Sequence, residues 1–195
     1  YFSEYTELQR ICMMILRHEK LKYAEDKNKI SGILFDGAWL WEEYMGIVLK
    51  RDFVHFRYNE GKRWYLFEKN RQRIIPDFLS KESENHDVRQ VVGDAKYILL
   101  DKKDCYDQEG AKDIYYKTIM YMFRFQSDLG VLFYPRECAE EEKTLKVEGR
   151  KSYVVKMGFP IVEMGCFDDF SSSMAVAEKN YLKRVLEIRD TLLSL

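Results

Sequence analysis

Two aspartates and a lysine stand inside apolar, strand-like stretches of the sequence. Asp77 lies within residues 73–79, while Asp94 and Lys96 lie within residues 91–97, and both stretches are rich in β-branched and aromatic residues. Side chains alternate between the faces of a strand, so Asp94 and Lys96 share a face, and a hairpin would bring Asp77 beside Asp94. Carboxylate oxygens are the ligands that Mg²⁺ prefers, and a nearby lysine can orient or activate water. The pattern predicts the outline of a phosphodiesterase site.

A structural ion pair is the alternative interpretation of these residues. The spacing of an acid and a lysine two residues later is weak by itself, because it recurs at Glu25 and Lys27. Asp94 and Lys96 differ in lying within an apolar strand, where charges are rarely buried unpaired. A buried Asp94–Lys96 pair would meet that requirement. The addition of Asp77, between apolar neighbours, favours a metal site over a simple pair.

A helix that precedes these strands offers a further carboxylate. The spacing over residues 38–50 predicts a helix with one broad apolar arc, formed by Leu40, Trp41, Tyr44, Met45, Ile47, Val48 and Leu49. Glu42 falls at the edge of the arc and Glu43 in the polar arc, so we expect Glu42 to face the sheet. A glutamate at a helix edge is also commonly a plain surface residue. Gly46 costs roughly 1 kcal/mol relative to alanine in a helix, which predicts close approach of a neighbouring element.

The sequence around the two motifs resembles that of a known family of nucleases. Pro76-Asp77 followed by Asp94-Ala95-Lys96 resembles the PD-(D/E)xK motif of restriction-endonuclease-like enzymes. The flanking segments resemble, in order, the nuclease domain of McrC and LlaJI-type subunits of modification-dependent restriction systems, over roughly residues 33–135. They are Ile33-Leu34-Phe35-Asp36, Leu40-Trp41-Glu42-Glu43-Tyr44, Ile74-Ile75-Pro76-Asp77-Phe78, Gly93-Asp94-Ala95-Lys96-Tyr97, residues 116–121 and Val131-Leu132-Phe133-Tyr134-Pro135.

The resemblance implies a metal-dependent DNA endonuclease. Asp77, Asp94, the Ala95 carbonyl and Glu42 would hold Mg²⁺, or Mn²⁺ in its place, and Lys96 would serve the attacking water. The implied partners are DNA and an McrB-like AAA+ GTPase motor, with self-association as a route to cutting both strands. Two alternatives stay open: a non-catalytic, nuclease-like scaffold that binds the motor or DNA, and a PD-(D/E)xK nuclease of DNA repair or processing.

Two groups of residues are candidates for DNA contact. In many relatives the helix after the motif carries a glutamine and a tyrosine four residues apart, and the matching positions here are Lys117 and Tyr121. A strip of basic residues precedes Asp77 and could contact the DNA backbone, namely Arg63, Lys69, Arg71 and Arg73. A solvated helix face and a solvated sheet edge are the alternative interpretations.

The remaining periodicity predicts an α/β protein with a restriction-endonuclease-like core, a mixed central sheet flanked by helices. Further helices are predicted over residues 5–17, 111–126 and 174–193. Strands are predicted over residues 52–58 and 63–67 around a tight turn at 59–61, over 91–100, over 131–134 with a stop at Pro135, and over 152–157. We expect one nuclease domain over residues 1–195, with its core at about 33–135, and the start at Tyr1 without methionine predicts a piece cut from a longer protein.

Composition limits how such a protein could work. The net charge is −1, so the chain is not a basic DNA clamp, and we expect a local basic patch or delivery by a partner. The four cysteines lack a C-x-x-C pair, which argues against zinc and iron–sulfur sites and fits a reducing cytoplasm. The sequence contains no apolar run of about eighteen residues, so we do not expect a membrane span. No glycine-rich phosphate loop is present, so we do not expect nucleotide hydrolysis by this chain.

Overall fold

The computed structural model describes residues 36–56, 64–69, 71–81, 91–98, 111–136, 143–161 and 167–194. Contacts divide the chain into two units, Tyr1–Asp36 and Gly37–Leu195, and the elements below belong to the second. The predicted helix over residues 5–17, the turn at 59–61 and Arg63 lie outside the described residues.

Three helices and eight strands occupy the described ranges. The helices are α1 (Gly37–Leu49), α2 (Ala111–Phe125) and α3 (Phe167–Leu193). The strands are β1 (Phe53–His55), β2 (Trp64–Phe67), β3 (Arg71–Ile74), β4 (Phe78–Ser80), β5 (Val91–Ala95), β6 (Leu129–Arg136), β7 (Lys143–Lys146) and β8 (Tyr153–Pro160). None of the helices within these ranges is long and apolar enough to cross a membrane.

Six of the strands form one mixed sheet in the order β1-β4-β5-β6-β8-β7, while β2 and β3 form a separate pair. Strands β5, β6 and β8 run parallel, and β1, β4 and β7 join them through antiparallel pairings. Parallel neighbours need a crossover connection, and α2 lies in the connection between β5 and β6. The predicted α/β fold of the restriction-endonuclease-like kind, with helices flanking a mixed sheet, is confirmed.

Helices cover both faces of the sheet because the side chains of its central strands alternate between two apolar cores. On β6, Phe133 packs with α1 and with Tyr181 of α3, whereas Leu132 packs with Met122 of α2. The indole Nε1 of Trp41 donates a 3.1 Å hydrogen bond to the carbonyl of Phe133, which ties α1 to the middle of the sheet.

The stretch that carries Asp77 is not the single strand that we predicted. β3 ends at Ile74 and β4 begins at Phe78, with Pro76 in the break between them. Proline lacks the N–H that a ladder requires and holds φ near −65°, so it interrupts pairing. Asp77 therefore stands at the entry of the chain into the main sheet.

Strands β1 and β2, which lie on either side of the predicted turn at residues 59–61, do not pair with each other within the described ranges. β1 pairs with β4 in the main sheet, and β2 pairs with β3. The turn signal is local, whereas the position of β1 depends on the burial of Phe53, whose ring meets that of Phe133 at 6.1 Å. A nonlocal apolar contact thus outweighs the local hairpin preference.

Helix α1 matches its predicted bounds closely, but its buried face is narrower than the predicted arc. Its buried residues are Trp41, Met45, Val48 and Leu49. Leu40 and Ile47 are 52% and 63% exposed, because they lie outside the face that these four residues bury in the core. The predicted close approach at Gly46 is confirmed, since an added Cβ would lie 2.5 Å from Nδ1 of His55.

The bounds of β5 and β6 also differ from the prediction. β5 ends at Ala95 rather than continuing to residue 100, and β6 continues through Pro135. The carbonyl of Phe133 accepts a 2.8 Å hydrogen bond from the N–H of Lys96. Backbone groups two residues apart point to the same neighbouring strand, so the backbone nitrogen of Pro135 also points to the β5 side of β6. Because β5 has already ended there, proline at 135 removes no bond of the β5–β6 ladder.

The last helix begins at Phe167, earlier than the predicted start at Met174. Residues 171–173, a run of serines that we expected to precede the helix, lie within it. Their weak helix propensity is overridden because Met174, Tyr181 and Val185 pack against the core and hold the helix in place.

Candidate active site

The pairing of β4 with β5 brings Asp77 and Asp94 to the same end of two neighbouring strands. In this antiparallel register Phe78 lies opposite Gly93, and the next positions outward are Asp77 and Asp94. Oδ2 of Asp77 accepts a 2.7 Å hydrogen bond from the backbone N–H of Ala95. The predicted hairpin-like pairing of the two motif strands is therefore present, although β4 is short.

Asp94 is a fully buried carboxylate with two lysines beside it. Its relative exposure is 0%, and its neighbours Val91, Val92 and Gly93 on β5 are buried as well. Lys96 Nζ forms an ion pair with its Oδ2, and Lys117 Nζ lies 3.7 Å from its Oδ1. Apart from these ion pairs, neither oxygen of Asp94 has a hydrogen-bond partner among the described residues. A buried carboxylate in that state is expected to have a further ligand.

The pKa of Asp77 is shifted by burial and by the other acids of the site. Burial raises the pKa of Asp77 well above its ordinary value, and the negative charges of Asp94 and then Glu42 raise it further. The Lys96 ammonium and the N–H of Ala95 act in the opposite direction without cancelling the effect. Carboxylates that repel one another in this way form a site that a cation would stabilise.

Glu42 reaches this group of acids from α1. Its Oε1 lies 2.9 Å from Nε2 of His55 on β1, and its side chain is 30% exposed. Its charge acts on Asp77 and on Tyr121, so it lies on the side of α1 that faces the site. Glu43, the adjacent residue, is not among the groups that shift the pKa of Asp77 or of Tyr121.

Helix α2 presents Lys117 and Tyr121 to the same acids. Tyr121 is buried, and burial raises the pKa of its hydroxyl, with Asp94, Asp77 and Glu42 adding to that effect in this order. The Lys117 ammonium lies 5.4 Å from the centre of the Tyr121 ring, in a cation–π arrangement. Both predicted residues therefore stand at the acids rather than on a remote helix face.

The arginines of the predicted basic strip lie outside the main sheet that carries the acids. Arg71 and Arg73 lie on β3, where they pair with Phe67 and Tyr65 of β2 in the two-stranded sheet. Arg71 is exposed, whereas Arg73 is half-buried. Both arginines belong to the two-stranded sheet and not to β4 or β5, and their assignment to DNA stays a prediction.

His55 is a member of the site that the sequence did not identify. Its imidazole binds Glu42 and stacks on Phe78 with ring centres 5.0 Å apart. A histidine without another histidine or cysteine at ligand spacing carries no recognisable motif. Gly46 was the one indication in the sequence. We predicted that this glycine allows the close approach of a neighbouring element, and His55 is the residue that packs against it.

The donors of the site suit a hard divalent cation. Asp77 and Asp94 supply carboxylate oxygens, Ala95 follows directly with a backbone carbonyl, and Glu42 stands nearby. Buried Asp94, whose oxygens have ion pairs but no hydrogen bond among the described residues, fits Mg²⁺, which usually takes one or two protein carboxylates and completes its shell with water. Within the described ranges there is no cluster of three or more His, Cys, Asp or Glu residues arranged around a single ion, so an all-carboxylate cage is not formed.

The fold and site together define an α/β protein with a restriction-endonuclease-like sheet and two acids and a lysine at the end of two central strands. Residues 1–135 match the family model described as McrBC 5-methylcytosine restriction system component. The chain belongs to this family and is a component of a restriction system. No match was found among curated proteins.

Proposed function

We propose that this chain is the DNA-cleaving component of its restriction system, a Mg²⁺-dependent endodeoxyribonuclease. The observation that carries the proposal is the meeting of Asp77 and Asp94 across β4 and β5, with Lys96 paired to the buried Asp94. Family membership supports the setting, since a restriction system must include an activity that cuts DNA.

The residues of the site would have different roles in phosphodiester hydrolysis. Asp77, Asp94 and the Ala95 carbonyl would hold the cation, with Glu42 at its edge. When bound, Mg²⁺ supplies Lewis acidity at the scissile phosphate and makes a bound water more acidic. Asp94 has the strongest reason to bind it, because its two buried oxygens otherwise lack hydrogen bonds.

Lys96 is the residue that would act on the reacting groups. Its side chain is 19% exposed, so the side chain is largely removed from water but not fully buried. From Nζ it can donate a hydrogen bond to the attacking water and to the phosphate oxygen on which charge develops. Such preorganised donors stabilise the transition state more effectively in a partly buried site than in water.

Recognition and activation are assigned to other surfaces and to a partner. The net charge of −1 is unfavourable for unaided DNA binding, which is consistent with delivery by an McrB-like AAA+ GTPase motor. Exposed Arg71 and half-buried Arg73 are candidates for DNA backbone contacts, whereas Tyr121 is 3% exposed and has little surface to offer to DNA. Self-association would place a second active site for the other DNA strand.

The test is DNA cleavage by the full-length protein together with the McrB-like GTPase motor that we propose as its partner. Methylated and unmethylated plasmids are incubated with GTP, in Mg²⁺ or in EDTA. We compare wild type with Asp94→Asn, which keeps the side-chain shape, and with Glu148→Gln, which changes an exposed acid on a surface turn.

We expect wild type and Glu148→Gln to cut in Mg²⁺ and not in EDTA, and Asp94→Asn to lose activity by at least ~100-fold, the range found for essential catalytic groups. Equal cleavage by Asp94→Asn would overturn the site. No cleavage by wild type, with DNA and motor binding intact, would favour a non-catalytic scaffold.

A further inference from the structure

Lys117 lies closer to the chemistry than a DNA-contacting residue needs to be. It stands on α2, one turn before buried Tyr121, and its Nζ is 3.7 Å from Oδ1 of Asp94. Residues four apart share a helix face, so the ammonium also lies over the Tyr121 ring, at 5.4 Å. Asp94 and an aromatic face thus hold the ammonium from two sides.

The opposite side of Asp94 is served by Lys96. Its ammonium pairs with Oδ2, whereas Lys117 approaches Oδ1, so each carboxylate oxygen has its own lysine. The side chain of Lys117 is 45% exposed, which leaves its ammonium accessible to a phosphate as well. The two lysines are therefore not redundant in position.

The charges of the site show what the second lysine changes. Asp77, Asp94 and Glu42 carry three negative charges when ionised, and Lys96 alone offsets one of them. One divalent ion would then bring the site only to neutrality, with nothing left for a phosphate that gains negative charge. With Lys117 present, one divalent ion leaves a net positive site, which matches the phosphate.

We propose that Lys117 is a built-in second cation of the active site, which takes the place of a second divalent ion beside Asp94. This inference rests on the proposed nuclease function and deepens it. A second divalent ion at Oδ1 would be repelled by the positive charge of the Lys117 ammonium, which lies 3.7 Å from that oxygen. The site consequently binds one divalent ion, and Lys117 contributes directly to stabilising the phosphate.

Metal binding tests this without any need for cleavage. Mn²⁺ is titrated into the full-length protein in the absence of DNA, with bound and free ion counted by electron paramagnetic resonance. The variants are Lys117→Met, which removes the charge, Lys117→Arg, which keeps it, and Lys146→Met as a matched control on an exposed strand position. Thermal melting shows whether each variant is folded, and Lys117→Gln substitutes for Lys117→Met if the latter is not.

We expect one Mn²⁺ at the site in wild type, Lys117→Arg and Lys146→Met, and a second in Lys117→Met. In the cleavage assay Lys117→Met should be ~100-fold slower at low Mg²⁺, and the Mg²⁺ dependence should steepen from first order towards second order. Two ions in wild type, or an unchanged ion count and Mg²⁺ order in Lys117→Met, would overturn the inference.

The outcomes separate this inference from the proposed function. If wild type never cuts DNA while the Mn²⁺ count still changes with Lys117, the nuclease proposal fails and the charge role of Lys117 stands. If wild type cuts and Lys117→Met only weakens DNA binding, Lys117 is a phosphate contact and the inference fails alone.

Discussion

The backbone N–H of Ala95 and Oδ2 of Asp77 are joined by a 2.7 Å hydrogen bond across the ends of β4 and β5. The bond orients the Asp77 carboxylate and satisfies a backbone donor beyond the last paired residues of the two strands. It also places the carbonyl of Ala95 and the carboxylate of Asp77 beside one another. One contact thus serves both the sheet and the candidate metal site.

Replacing Asp77 by two different residues separates these roles. Asp77→Ala removes the acceptor and leaves a partly buried N–H without its partner, which should cost ~1–3 kcal/mol of unfolding free energy. Asp77→Asn keeps an oxygen for the N–H and should retain most of that stability. We expect Mg²⁺ to raise the melting temperature of wild type and not that of either variant. Urea unfolding and thermal melting measure this, and equal stability of the two variants would contradict the role of the hydrogen bond.

The raised pKa of Asp77 predicts a pH-dependent stability when metal is absent. The folded state binds this proton more tightly than the unfolded state, so unfolding free energy falls as pH rises from about 4 through the raised pKa. Asp77→Asn lacks the group. The stability of wild type relative to Asp77→Asn should therefore fall with pH, by up to ~1.4 kcal/mol per pH unit.

Urea unfolding in EDTA between about pH 4 and pH 8 measures that difference, where the ordinary aspartate pKa marks the lower end. Added Mg²⁺ should flatten it, because a cation favours the ionised carboxylate. A difference that stays constant, or that rises with pH, would show that the surroundings of Asp77 do not disfavour its charge.

Lys96→Ala distinguishes a catalytic lysine from a structural ion pair. We expect cleavage to be lost by at least ~100-fold, with folding intact, since Lys117 and a bound cation still offset the charge of Asp94. A purely structural pair predicts the reverse pattern, a lower melting temperature with activity retained. Thermal melting with and without Mg²⁺, beside the cleavage assay with the motor, decides between them.

Glu42 and Glu43 form a matched pair of adjacent acids on one helix. Glu42→Gln should raise the Mg²⁺ concentration required for half-maximal cleavage by about 10-fold or more, the scale of losing a group that supports a metal site. Glu43→Gln should leave it unchanged, because Glu43 is not among the groups that shift the pKa of Asp77. The Mg²⁺ dependence of both variants is the measurement. An unchanged requirement in Glu42→Gln would remove that residue from the site.

Gly46 predicts a reversal of the usual glycine-to-alanine effect. In an open helix the change should stabilise by ~1 kcal/mol, but here the new Cβ would lie 2.5 Å from the His55 ring, which Glu42 and Phe78 hold in place. Gly46→Ala should therefore destabilise by ~1–3 kcal/mol. The same change in a His55→Ala background should stabilise instead. A double-mutant cycle by urea unfolding measures the coupling, and additive effects would contradict the contact.

Local periodicity was sufficient to predict the placement of Asp94 and Lys96 on one face of a strand and the extents of α1 and α2. These features follow from backbone geometry and from the apolar pattern within a single element. The proximity of Asp77 to Asp94 also followed once the two stretches were paired. The break at Pro76 was visible in the sequence, because proline cannot continue a ladder, yet the continuous apolar pattern around it concealed the change of sheet.

Contacts between distant parts of the chain decided the remainder. His55 meets Glu42 only because burial of Phe53 draws β1 into the main sheet beside α1. Lys117 reaches Asp94 only because α2 crosses between β5 and β6 on that face. The residue pattern within a single element does not predict such contacts, because the free energy of the contacts comes from surfaces that meet only after the chain has folded.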